Sequence, residues 1–149
     1  MALYYLETSA LVKLYVREPG TDRVLALAAR ANENQLAILA LSQIEFRSAI
    51  RRREKNREIP GHIASQLLGA FSRHLESRFV TQMVTDFVLD IASTLVDRYA
   101  LRAFDAVQLA GYAVWKNSSG SDMPIFVCAD HDLLNAAKQE GMPIFDPCS

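Results

Sequence analysis

Three short segments of this chain are apolar throughout, and each is followed by residues with helical spacing. They span residues 3–6, 36–41 and 125–128. A strand with one face in water alternates apolar and polar residues, whereas a strand of a parallel sheet is covered by helices on both faces and is apolar on both. Residues 79–83 and the short segment 143–145 are further candidates for the same sheet. The pattern predicts an α/β fold, a three-layer α/β/α sandwich with a mainly parallel central sheet.

Helices are predicted between these strands from apolar residues at helical spacing. The predicted segments are residues 10–16, one capped by Thr21, about 42–56, about 61–76, 86–99, 104–117 and 130–140. Residues 118–122 are the best candidate for a flexible loop. The chain has 149 residues without an internal repeat or a long linker, so we expect one domain over residues 1–149.

Composition limits the class of protein. No segment approaches the run of about 18 apolar residues that a membrane helix requires, and no basic leader precedes a long apolar stretch. We therefore expect a soluble cytoplasmic protein without a membrane partner. Cys128 and Cys148 form neither a disulfide framework nor a zinc spacing, and the three histidines are scattered, which argues against zinc.

The charge distribution allows nucleic-acid binding only locally. The net charge is -1, yet six of the sixteen basic residues lie within residues 47–57. This run has two interpretations, a solvated helix face or a contact for a nucleic-acid backbone. Arg52 follows Glu45 by seven residues, two helical turns or about 10 Å, so both project from nearly the same face. Arg51 and Arg52 are therefore candidate phosphate contacts.

Acidic residues mark the predicted strand ends. Glu7 follows the first strand directly, and Asp130 and Asp132 follow the strand over 125–128. Glu45 and Asp105 lie at or near predicted helix starts. In open α/β sheets ligands bind at the carboxyl ends of the strands, which makes these acids the first candidates for a site.

Each acid also has a purely structural interpretation. Glu45 completes a Ser-x-x-Glu capping box with Ser42, and Asp105 stands in the matching place before Gln108. The acids after the strand over 125–128 could cap the following helix, and Glu7 could be an exposed residue at a strand end. Singly, capping is the better explanation for the acids at helix starts.

The acids can nevertheless converge at one sheet edge. Four carboxylates there would repel one another unless a cation lay among them. Ligands that are oxygen only favour a hard ion, so Mg²⁺ or Mn²⁺ fits better than zinc or copper. Such a cluster suits phosphodiester hydrolysis, in which the metal activates water and neutralises developing charge.

Four segments, taken in order, resemble the PIN-domain nucleases and, most closely, the VapC toxins. They are YLETSALVKLY (5–15), SQIEFRSA (42–49), LRAFDAVQLA (101–110) and VCADHDL (127–133). No single motif is diagnostic, but together they cover almost the whole chain in the family's order and separation.

The resemblance implies an endoribonuclease that depends on Mg²⁺ or Mn²⁺, is usually dimeric and is inhibited by a cognate VapB antitoxin whose tail enters the acidic site. By position, Glu45, Asp105 and Asp130 match acidic site residues of the family, Asp132 is a possible further acid, and Thr8 and Ser9 match the hydroxyl residues beside the first acid. With Glu7 in the place of the first acid, the candidate catalytic residues are Glu7, Glu45, Asp105 and Asp130, and the candidate metal ligands are Glu7, Asp105, Asp130 and Asp132. Arg51 and Arg52 of the basic run remain the candidate phosphate contacts.

Glu7 departs from the family pattern, which ordinarily has Asp. The extra methylene moves the carboxylate, while Mg²⁺ requires near-octahedral ligands at about 2.0–2.1 Å. Three functions therefore remain open: a ribonuclease toxin, a catalytically weakened domain that binds RNA or antitoxin, and a nuclease acting on DNA or structured nucleic acid. For a dimer, we expect the interface on an apolar surface of the paired helices between residues 60 and 99.

Overall fold

The computed structural model describes residues 2–30, 32–120 and 122–149. Within these ranges the chain forms five strands, β1 (Ala2–Leu6), β2 (Asn34–Leu39), β3 (Phe79–Gln82), β4 (Ile125–Val127) and β5 (Ile144–Phe145). Their order in the sheet is β3-β2-β1-β4-β5, and every neighbouring pair is parallel. The predicted parallel sheet is confirmed, and it is parallel throughout.

Helices cover both faces of the sheet. They are α1 (Thr8–Val12), α2 (Thr21–Ala29), α3 (Ser42–Lys55), α4 (Gly61–Ser77), α5 (Asp86–Tyr99), α6 (Ala103–Ser118) and α7 (His131–Gln139). Successive strand residues point to opposite faces, so Tyr5 and Leu39 pack with α5, α6 and α7, whereas Leu6 and Ile38 pack with α1 to α4. The two separate cores confirm the three-layer architecture.

Three local predictions were wrong. The first helix ends at Val12 instead of continuing to residue 16. The N-cap of the second helix is Gly20, without a side-chain capping bond, so Thr21 does not cap it. α3 begins at Ser42, but its N-cap is Leu41, which makes no side-chain capping bond, so the predicted capping box does not form.

The predicted loop over 118–122 includes Ser121, which lies outside the described residues. None of the described helices is long and apolar enough to cross a membrane.

Strand order determines where a site can form. β2 and β3 lie on one side of β1, and β4 and β5 lie on the other, so the strand order reverses between β1 and β4. In parallel sheets, ligands bind at such switch points. α6 packs closely against this region at Gly111, where an added Cβ would lie 2.7 Å from the Tyr5 hydroxyl and closer still to Leu39. This close approach brings the first turns of α6 to the carboxyl ends of β1 and β2.

Candidate active site

Four of the predicted acids lie at helix starts on the carboxyl edge of the sheet. Glu7 follows β1 and caps α1, and Asp130 follows β4 and caps α7 by accepting the Leu133 N–H at 3.1 Å. Glu45 and Asp105 lie in the first turns of α3 and α6. Helix N-termini favour negative charge, so backbone dipoles support these carboxylates. The capping interpretation holds for Asp130, which remains half-buried at the edge.

Glu7 is turned into the protein and is only 5% exposed. Its Oε2 accepts the Ser9 N–H at 2.9 Å, a short hydrogen bond from the Ser9 hydroxyl, and the Cys128 thiol at 3.4 Å. No hydrogen bond reaches Oε1 from the described residues, so one oxygen is anchored and the other is left for a ligand. The interpretation of Glu7 as an exposed strand end is therefore wrong.

Burial controls the protonation of Glu7 and of the Cys128 thiol. It raises the pKa of Glu7 from its ordinary value of 4.5 to about 7, although the hydrogen bonds from Ser9 oppose the rise. Burial and the adjacent Glu7 charge also raise the pKa of the Cys128 thiol. The thiol therefore stays protonated at neutral pH and can donate to the carboxylate.

Glu45 belongs to a polar cluster that joins α1, α3 and α6. Its Oε1 accepts the Thr8 hydroxyl at 2.9 Å and the Gln108 amide N–H at 2.7 Å. The same Nε2 lies 2.9 Å from the Ser42 hydroxyl and 3.0 Å from that of Thr8. A carboxylate only accepts, which orients the Gln108 amide with its N–H groups toward Glu45. This cluster replaces the predicted capping box because buried Ser42 finds its partner on another helix.

Asp105 is half-buried and does not cap its helix, whose N-cap is Arg102 without a side-chain capping bond. The capping interpretation of Asp105 is therefore wrong. Burial raises the pKa of this carboxyl, as do the charges of Asp130, Glu45 and Asp132, while Arg102 opposes the rise. Asp105 therefore lies close enough to Glu45, Asp130 and Asp132 for their charges to act on it.

The acids converge without forming a closed ligand set. Across residues 2–30, 32–120 and 122–149, no group of three or more His, Cys, Asp or Glu side chains lies close enough to hold a metal ion. Asp105 and Asp132 line a cleft of about 380 Å³ between the α5–α6 turn and α7, but Glu7 and Glu45 are not among its lining residues. The structure thus separates two acids on an open cleft from two acids held by buried hydrogen bonds.

The arginines of the basic helix α3 differ in their ion pairs. Arg51 is exposed and pairs with Glu54 at 2.6 Å, a surface ion pair of little strength. Arg53 pairs instead with Glu18 at 2.7 Å. Arg52 is exposed and forms no ion pair with any residue the structure describes. Of the two predicted phosphate contacts, Arg52 is thus the more available.

Two residues that we had not predicted as site residues lie directly behind the acids. The sequence indicates Gln108 only as a capping partner of Asp105, and it indicates neither a disulfide nor a zinc site for Cys128. The signal for Gln108 was its place one turn after Asp105 on a helix that is apolar nearly all round, where a buried amide needs a partner. For Cys128 the sequence carries no comparable signal beyond its position before Asp130.

Comparisons with known proteins identify the family and support the fold. The PIN domain family model matches residues 4–111. Ribonuclease VapC46 of Mycobacterium tuberculosis strain H37Rv is 29% identical over 147 residues, 99% of each chain, and Ribonuclease VapC47 of strain CDC 1551 is 27% identical over 147 residues, 97% of each chain. The crystal structure of VapBC2 from Rickettsia felis bound to a promoter DNA fragment matches with a TM-score of 0.64 at 15% identity, over 97% of this chain and 98% of the other. The family match covers well over half of the chain, which therefore belongs to the PIN domain family.

Proposed function

We propose that this protein is a metal-dependent endoribonuclease, the toxin of a VapBC-type pair, and that residues 1–149 act as one nuclease domain in the cytoplasm. The observation that carries the proposal is the convergence of Glu7, Glu45, Asp105 and Asp130 at the carboxyl edge of the sheet. Membership of the PIN family and two relatives named as ribonucleases support it.

The donor chemistry fits Mg²⁺ or Mn²⁺. Burial and the neighbouring carboxylates raise the pKa of Asp105, and a cation among these acids would relieve their repulsion. We assign Glu7, Asp105, Asp130 and Asp132 as the residues that would hold the ion, although no three acids of the described residues lie close enough to hold it in this structure. When bound, it would lower the pKa of a water molecule and neutralise charge on the scissile phosphate.

The other residues of the site position these acids. Ser9 and Cys128 hold one oxygen of Glu7, and Thr8 and Gln108 hold one oxygen of Glu45. Such hydrogen bonds fix the orientation of carboxylates and tune their basicity. The second oxygen of Glu45 accepts no hydrogen bond from the described residues, so it can orient a water molecule or accept its proton.

Substituting Asp105 tests the proposal. Asp105→Asn removes the negative charge while keeping the size of the side chain, and it should abolish Mn²⁺-dependent cleavage of single-stranded RNA. Asp90→Asn, at an exposed position of α5, should leave cleavage unchanged. Circular dichroism checks that both variants are folded. Single-stranded DNA is offered at the same salt concentration, because phosphate contacts make affinity salt-dependent. Equal cleavage by wild type and Asp105→Asn, or cleavage of DNA alone, would contradict the proposal.

A second candidate function is a weakened domain that acts by binding RNA or antitoxin. The burial of Glu7 and the lack of a closed ligand set among the described acids favour it. It predicts binding of RNA without turnover at saturating Mn²⁺. Measurable cleavage that Asp105→Asn removes would decide against this function.

We further propose two protein partners, a VapB-like antitoxin and a second copy of this chain. Met83, Val84, Phe87 and Leu89 are exposed apolar residues close in sequence, and Met83 and Phe87 are each 61% exposed. Single exposed apolar residues are ordinary, but a contiguous group marks a contact surface. This group lies within the predicted interface region, and we assign the second copy to it.

A further inference from the structure

The cleft of about 380 Å³ beside the acids is lined mostly by residues that the proposed chemistry does not use. Asp105 and Asp132 contribute to its lining, and Arg102, Asn135 and Gln139 supply other polar groups. We propose that this cleft is a base-selective subsite that binds one nucleotide of single-stranded RNA next to the scissile phosphate. The inference rests on the proposed ribonuclease function and adds to it the residues that choose the RNA sequence.

One face of α7 forms the selective wall. Asp132, Asn135 and Gln139 follow one another at intervals of three and four residues, so their side chains share a helix face. Both amide residues are exposed, and about 6 Å separates their positions along the helix axis. Each amide carries donors and an acceptor, the combination that reads the edge of a base. Asp132 on the same face connects this wall to the catalytic acids.

The opposite wall is held in place by contacts between α5 and the end of α7. The hydroxyl of Tyr99, a lining residue, donates to Oε2 of Glu140, and Arg98 binds the same oxygen at 2.6 Å. Ala100 follows with a φ of 54°, a left-handed conformation that costs energy for a residue other than glycine. This turn ends α5 and leads directly into Arg102, so a strained and anchored segment shapes the cleft.

Arg102 gives the cleft a phosphate contact. The lining also carries the carboxylates of Asp105 and Asp132, whose charge the proposed metal ion would neutralise. Arg102 forms no ion pair with any side chain in the described part of the chain, so its guanidinium can bind a phosphate. The volume lies within the usual range for small-ligand pockets, about 300–1,000 Å³. The neutral amides match a base and the guanidinium matches its phosphate. The adjacent carboxylates lie where the bond would be cut.

Cleavage of a randomised single-stranded RNA pool, read by sequencing the new ends, tests the subsite. The wild type should show a base preference at one position beside the cut, and Asn135→Ala with Gln139→Ala should reduce that preference about fivefold or more. Gln66→Ala removes an exposed amide from α4 and should leave the preference unchanged. A wild type without base preference, or a double variant with the wild-type profile, would overturn the inference.

A binding measurement separates failure of the subsite from failure of the ribonuclease function. Single-stranded RNAs that differ at one base are titrated without metal, so that the proposed metal-dependent cleavage does not occur, and the double variant should lose the base dependence of the dissociation constant even if no RNA is cut. A short arginine-rich peptide is titrated in parallel. If the double substitution changes peptide affinity and leaves RNA selectivity intact, the cleft binds protein and the inference is wrong.

Discussion

Glu7 reaches the edge of the sheet with one methylene more than aspartate, and Ser9 and Cys128 hold one of its oxygens. The thiol contact spans 121 positions in the sequence and is made to a terminal oxygen of the glutamate, which a shorter aspartate would draw back toward the backbone. The two residues should therefore be energetically coupled.

A double-mutant cycle measures this coupling. Cys128→Ala should weaken Mn²⁺ binding by about tenfold when residue 7 is glutamate, because the carboxylate loses an orienting hydrogen bond. Glu7→Asp should bind Mn²⁺ more tightly than the wild type and should be insensitive to Cys128→Ala. Isothermal titration calorimetry gives the four affinities, and Cys148→Ala, at the exposed cysteine, is the matched control. Equal effects of Cys128→Ala in both backgrounds would show that the thiol only fills space.

The raised pKa of Glu7 makes a prediction about pH. Its folded pKa is about 7, above the ordinary value of 4.5, so folding favours the protonated form. The stabilisation is complete below about pH 4.5 and is lost as the pH rises through 7, with a total of about 3 kcal/mol. In EDTA, the stability of the wild type relative to Glu7→Gln should therefore fall between pH 4.5 and 7.5. Urea unfolding at several pH values gives this difference, and a constant value would contradict the assigned burial effect.

At the scale of elements, the strands were predictable because burial on both faces leaves uninterrupted apolar runs, and α5 was predicted over the residues it occupies. The start of α3 was not predictable, since a local Ser-x-x-Glu pattern cannot reveal a partner on another helix. Gln108 donates hydrogen bonds to both Ser42 and Glu45, which are 66 and 63 positions away from it in the sequence. The acids could be predicted from their places after strands and at helix starts, whereas the residues that hold them depend on tertiary contacts.

The helix α3 carries a prediction about RNA binding. Arg51→Ala with Arg52→Ala should weaken RNA binding and lower the slope of log affinity against log salt by about 1.4, for two single-strand phosphate contacts at about 0.7 each. Arg30→Ala is the matched control, because Arg30 is also exposed and pairs with a glutamate three residues later. Fluorescence anisotropy between low and moderate salt gives the slope. If the slope is unchanged, the basic run is a solvated helix face.

At the scale of the molecule, the sheet and its two cores leave the segment around Met83 and Phe87 uncovered. If a second copy covers it, Met83→Glu with Phe87→Glu should convert a dimer into a monomer of 16.6 kDa, because burying two unpaired charges opposes association. Size-exclusion chromatography with light scattering measures the mass. Met123→Glu, at an apolar residue of similar exposure, should leave the dimer intact. A wild type that is monomeric at all concentrations would contradict the proposed dimer, and a dimer that survives the double substitution would place the interface elsewhere.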